Sequence, residues 1–196
     1  MALYQNSTVT SDLLVIGNYK IQVTSVFSGL TSAVTIVAST FTNLGAGMVS
    51  SFQHDVSMID VQAGNAPDPL TGVALETVTV SGELIEFKSD NWVIAWNGLV
   101  TAQTAYTSNL SFLNAGGAAT LTPRCYMLTN RHYNSSGTSC LTHIIIYRGY
   151  MTKGIGVTMK SDNDADPINV FPFEIKGEID ATRTRGDQLY SIYREA

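Results

Sequence analysis

The chain has 196 residues, 44% of them hydrophobic, which suits one folded domain with a core and excludes a disordered tail. Its 11 Lys+Arg against 16 Asp+Glu give a net charge of −5, which argues against a nucleic-acid binder, because no basic run is there to release counterions. Only 14% of residues are charged, against roughly 25% in ordinary soluble domains, and a surface so poor in charge suits a subunit that is buried against its own copies.

The N-terminus MALYQNSTVT lacks the basic start and apolar run of a secretory signal, and no stretch reaches the ~20 apolar residues of a membrane span. Synthesis in a cytoplasm, without membrane contact, is therefore expected. Residues 1–18 read as an arm. Over YKIQVTSVF, Tyr19, Ile21, Val23 and Phe27 fall on one face and Lys20, Gln22 and Thr24 on the other, the pattern of a half-buried strand. SGLTS supplies a turn. AVTIVASTF alternates again, Val34, Ile36 and Ala38 against Thr35, Val37 and Ser39, which predicts a β-hairpin over 19–41. NLGAG breaks the pattern before a weaker strand region, MVSSFQHDVSMIDVQ, and AGNAPDPLTG gathers prolines and glycines into a loop over 63–72.

ETVTVSGELIEF alternates, with Gly82 marking a bulge. SDNWVIAWNG then leaves the two-residue period: Ser89 or Asp90 caps a helix start, Gly98 sits past its end, and Trp92 and Trp96 share a face. This predicts one short α-helix at about residues 89–97. NLSFLNAGGAATLTPRCYMLT and SCLTHIIIYRGYMTKGIGVTMK supply further strands between Gly-rich or polar turns. In SDNDADPINVFPFEIKGEID the alternate Asp162, Asp164 and Asp166 suggest a calcium loop, but Pro167 and Phe173 stand where such a loop needs glycine and a bidentate glutamate. The stretch reads instead as a polar turn feeding a strand. The whole predicts a mainly β chain, a β-sandwich or partial barrel with one flanking helix, in a single domain. Its core spans 73–181 and residues 182–196 form a C-terminal segment.

Chemistry has few candidates. Cys125, His132, Cys140 and His143 are spaced C-x6-H-x7-C-x2-H, without the tight knuckle that fixes two zinc ligands on one turn. The two cysteines are expected on two strands joined by a polar loop, as free buried thiols or as partners in a bridge, with the free form favoured in a cytoplasm. No G-x-S-x-G elbow exists, and His54, His132 and His143 have no sequence partner suggesting a triad. Glu83 with Glu86, and Glu174 with Glu178, pair as general acid and base would, yet solvated strand faces explain them better. Arg185, Gly186 and Asp187 spell a short adhesion tripeptide in a turn before a last strand. No catalysis, metal or cofactor is expected. A second class of function, an adhesion or receptor-binding module, would use loops with Tyr133 and Tyr150 as aromatic anchors.

The hairpin of 19–41, the strand, helix and glycine of VTVSGELIEFKSDNWVIAWNG, and the ending THIIIYRGYMTKGIGVTMKSD with INVFPFEIKGEID occur in a familiar order. The chain resembles the tail tube proteins of long-tailed bacteriophages, which share their fold with the inner tubes of contractile injection machines. The resemblance covers about two-thirds of the chain and extends to a last strand ending near an acidic residue, here Asp180. It implies subunits that join edge to edge into hexameric rings, with sheets closing into one shared barrel, and rings stacked into a tube that conducts DNA without binding it. It implies a virion location, and tape measure, baseplate or tip, and terminator proteins as further partners. On that reading Lys20, Gln22, Thr24, Thr35 and Ser39 face the lumen. Asn65, Pro67, Asp68 and Pro69 then form a contact between rings. The alternative is a β-sandwich virion decoration or receptor-binding module.

Overall fold

A computed structural model describes residues 18–27, 31–61, 70–85, 100–104, 111–115, 121–133, 137–153, 156 and 170–194. The chain is mainly β. Strands β1 (Asn18–Ser25), β2 (Thr42–Val61), β3 (Leu70–Leu84), β6 (Arg124–Tyr133), β7 (Ser139–Met151), β8 (Phe171–Gly177) and β9 (Tyr190–Arg194) form one antiparallel sheet. Strands β4 (Val100–Thr104) and β5 (Ser111–Ala115) pair separately. A short helix α1 (Ala33–Val37) lies between β1 and β2. The predicted helix at 89–97, Glu86 and the residues Asn65, Pro67, Asp68 and Pro69 fall outside the described residues.

The sheet order β6-β1-β2-β3-β8-β7-β9 is joined at its ends, because β6 also pairs with β7. Strands β6, β1, β2, β3, β8 and β7 therefore form a closed circuit of ladders. Strand β9 lies beside Thr142–Ile146 of β7, and β8 follows it along the same edge at Gly149–Met151. Alternation decides what points inward. Tyr19, Ile21 and Val23 of β1, Tyr126 and Leu128 of β6, Ile144 and Ile146 of β7, and Phe173 and Ile175 of β8 all enter one buried core with Val78, Val80 and Leu84. Ile179, in phase with Phe173 and Ile175 along the sequence, is exposed because β8 ends at Gly177 and the chain turns away.

The predicted hairpin of 19–41 is corrected in its second half. Residues 33–37 are helical, and the antiparallel partner of β1 is β2, with Asn18 opposite Met48 and Val23 opposite Thr42. Both edges of β1 are occupied, by β2 and by β6, so no edge remains for 33–41 to join. Locally, Ser32 caps the helix by accepting a hydrogen bond from the Thr35 amide at 3.2 Å. Ala33, Ile36 and Val37 also stand at helical spacing, and that face packs on a second cluster made of Cys125, Met127, Ile145 and Tyr147. Thr35 and Ser39 consequently sit on and just after a helix, not on a strand.

NLGAG does not end a strand. It lies inside β2, where Gly45 takes φ 138 at an irregularity opposite Ile21 and Gln22. A Cβ on Gly47 would stand 2.4 Å from the Glu83 carbonyl oxygen, so the absent side chain is what lets β3 approach. The bulge expected at Gly82 falls on the facing strand, between Val49 and Ser51. The loop predicted over 63–72 ends early, since Leu70, Thr71 and Gly72 already pair with β2.

Candidate functional site

Strands β2 and β3 outrun every other partner. Contact of β1 with β2 ends at Met48, and contact of β8 with β3 begins at Val78. Beyond these points Asp55–Val61 and Leu70–Thr77 pair only with each other among the described residues, a two-stranded ribbon that reaches about 24 Å past the core at ~3.4 Å per residue. Over Asp55–Asp60 and Gly72–Leu75 its side chains are exposed, and many are apolar: Val56, Met58, Ile59, Val73 and Leu75. Because Val56 faces Glu76 and Met58 faces Val73, while Ser57 faces Leu75 and Ile59 faces Gly72, the apolar groups lie on both surfaces. Among the described residues no further strand pairs with either edge of the ribbon. The segment joining its strands carries Asn65, Pro67, Asp68 and Pro69.

Beside the ribbon base runs the turn that follows β8. A cleft of about 490 Å³ lies between Val73–Glu76 on one wall and Ile179, Arg185, Gly186 and Gln188 on the other. The turn is held from within. The Asp180 carboxylate accepts from the Thr182 amide at 3.1 Å and from its hydroxyl at 2.6 Å. Arg183 is buried; it donates to the Asp187 carbonyl at 2.8 Å, to the Asp187 carboxylate at 2.7 Å and to the Thr31 carbonyl at 3.1 Å, with its guanidinium 3.6 Å from the centre of the Tyr147 ring. The Tyr147 hydroxyl donates to the other Asp187 carboxylate oxygen at 2.6 Å. Both oxygens of Asp187 are thus engaged internally, and the Arg-Gly-Asp sequence does not present a free carboxylate. Burial, with the Asp187 bond in support, pushes the Tyr147 hydroxyl up to about 12.

The remaining sequence candidates scatter. Cys125 and Cys140 are both free and buried. They lie on neighbouring strands, but Cys140 is opposite His132 whereas Cys125 lies next to Tyr126, which is opposite Ile146. The offset is roughly 20 Å along the strands, so neither a bridge within one chain nor a shared metal ion is compatible with the register. Burial pushes the Cys125 thiol up to about 12, although Arg183 pulls it back. Among the described residues, no three His, Cys, Asp or Glu side chains group as metal ligands, and no helix is long and apolar enough to cross a membrane. Glu174 accepts from the Thr152 hydroxyl, and Glu178 accepts from Arg148 and Tyr150. Both carboxylates are thereby tied into strand-end contacts. His54 lies against the edge of Tyr190, and His143 meets the Thr129 hydroxyl at 3.0 Å, so these two histidines do not converge. Tyr133 is exposed at the end of β6, while Tyr150 is held through its hydroxyl.

Lys20, Gln22 and Thr24 point away from the core as expected. Lys20, Gln22 and Ser39 gather with residues of β6 and β7 around a pocket of about 390 Å³ at the edge of α1. Sequence reasoning found the strand face but missed both the exposed ribbon and the Arg183 network. Alternation identifies a strand without saying whether another element covers it, and Tyr147 and Arg183 are far apart in the chain. No protein family matches this chain, and no curated protein matches it.

Proposed function

We propose that the protein is a non-catalytic structural subunit that assembles with its own copies into hexameric rings stacked as a tube, as its resemblance to phage tail tube proteins implies. One observation carries this reading: the β2–β3 ribbon extends beyond the core with apolar side chains on both surfaces and, among the described residues, no strand on either edge. Exposed apolar strands with free edges are association surfaces. Because the core strands close on themselves, the ribbon and β9 are the elements best placed to extend the sheet into a neighbour. The segment with Asn65, Pro67, Asp68 and Pro69 joins the strands of the ribbon and belongs to the same contact. In this role the subunit resides in a virion tail, meets tape measure, tip and terminator proteins at the ends of the tube, and guides DNA without recognising it.

A second reading, a decoration or receptor-binding module, draws on the exposed Tyr133 at the end of β6. Negative-stain electron microscopy with light scattering over a concentration series separates the two. Rings or hollow tubes support the tube. A small oligomer of fixed mass at every concentration overturns it in favour of the module.

A further inference from the structure

The pocket beside α1 has a composition unlike the rest of this acidic chain. Cross-strand register builds it. Lys20 of β1 is opposite Thr129 of β6, and Thr129 is opposite His143 of β7, so the three form one row on the outer face. Arg131 stands two residues beyond Thr129 on that same face, and Gln22 two residues beyond Lys20. No carboxylate is among the described residues that line the pocket, although the chain has 16 Asp+Glu against 11 Lys+Arg. Lys20 and Arg131 are exposed and make no ion pair with a described residue.

The polar groups are also oriented. The Thr129 hydroxyl donates to the Gln22 side-chain carbonyl oxygen at 3.4 Å and meets Nδ1 of His143 at 3.0 Å. With its carbonyl occupied, Gln22 has its amide protons to offer. Tyr193 stacks on His143 with ring centres 6.1 Å apart, which holds the imidazole in place. Amide protons, an ammonium and a guanidinium thus gather around a space of about 390 Å³. A fork of donors with positive charge matches a tetrahedral oxyanion.

We propose that this pocket binds a phosphate group, with Arg131 and Lys20 as the charged contacts and Gln22 as a neutral donor. It shares no residue with the β2–β3 ribbon, so self-association and phosphate binding are tested separately; it does share Lys20 and Gln22 with the face that the tube reading turns to the lumen, and phosphate binding there counts against a lumen that passes DNA unbound. Alternation alone could not reveal it, because its bases come from three strands.

The test is a thermal-shift titration of the full chain with inorganic phosphate at constant ionic strength, chloride being the replacement. Saturable stabilisation is expected, roughly 3–6 °C at about ten times the dissociation constant. Phosphate also stabilises folded proteins in general by exclusion from their surface, so variants decide the matter. Arg131→Gln should raise the half-saturating concentration at least about tenfold, the pair Lys20→Gln and Arg131→Gln should abolish saturation, and Lys176→Gln, an exposed base elsewhere, should change nothing. A short oligonucleotide with internal phosphodiesters alone distinguishes the source of the group. Competition with phosphate assigns a nucleic-acid backbone, and its absence a free phosphate or monoester. A rise no larger than chloride produces, or one that survives in the double variant, overturns the proposal.

Discussion

Replacing Met58 and Leu75 together by aspartate tests the ribbon as an association surface. The two side chains are 67% and 56% exposed, so little of either contributes to the fold, and surface changes of this kind stay within about 0.5 kcal/mol each. Association is another matter. Fully burying a Leu or Met side chain is worth about 1.5–3 kcal/mol, and the exposed share that remains for a partner to cover is therefore about 1–2 kcal/mol per residue. The double variant loses roughly 2–4 kcal/mol per contact before the desolvation of two new carboxylates is counted. At about 1.4 kcal/mol per tenfold, the concentration at which polymer appears should rise by roughly 30-fold to 1,000-fold. Light scattering over a dilution series measures that threshold, and thermal unfolding of the dilute protein checks that the fold is kept. An unchanged threshold with an intact fold refutes the argument, because the ribbon would then not be the buried surface.

The Arg183 network predicts that Arg183→Met loses about 1.5–3 kcal/mol, the usual worth of hydrogen bonds to a charged group, since the Asp187 carboxylate left behind is half exposed and keeps its Tyr147 bond; urea unfolding reads this as a lowered midpoint. For Cys125 the folded thiol ionises near 12 whereas an unfolded thiol ionises near its model value of 9.0, so the contribution is complete below about pH 9 and falls as pH rises toward 12, by at most about 1.4 kcal/mol per pH unit. Unfolding curves at neutral and alkaline pH should therefore converge in Cys125→Ala relative to the parent. Gly82→Ala puts a Cβ 2.2 Å from the Met48 carbonyl oxygen and 2.9 Å from the Phe173 ring; a loss of about 1–3 kcal/mol is expected, measured as a fall in melting temperature.

The inward faces of β1 and β8 were legible, because each is a run of alternation with large apolar residues on one side, whereas β7 buries Ile144 and Ile146 on one face and Ile145 and Tyr147 on the other. The fold around them was legible only where neighbours did not compete. Residues 33–37 satisfy both the two-residue period and the helical spacing of Ala33, Ile36 and Val37. What decides between them is the occupation of both β1 edges by strands that start at Thr42 and Arg124. In the same way Gly47 reads as a strand breaker until Glu83 and Leu84 are seen to cross over it. The cysteines show the limit most clearly. Their residue type and burial were readable, but whether they meet depends on a ladder register that places His132, not Cys125, opposite Cys140.

How the ribbon is covered decides between the two functional readings. A ribbon that pairs with the same ribbon of a second copy makes a two-fold contact, and such contacts close at a dimer. Pairing with a different surface, such as the turn at Ile179–Gln188 that walls the cleft beside the ribbon base, makes a head-to-tail contact that continues into a ring or a filament. The ribbon favours the second. Asp55, Asp60 and Glu76 are its charged residues among those described, and lysine is absent from it, so two ribbons laid together would oppose like charges. The opposite wall of the cleft presents Arg185. An acidic ribbon meeting a wall with an exposed base can bury its apolar residues without that repulsion, which is the geometry an open, self-propagating tube requires.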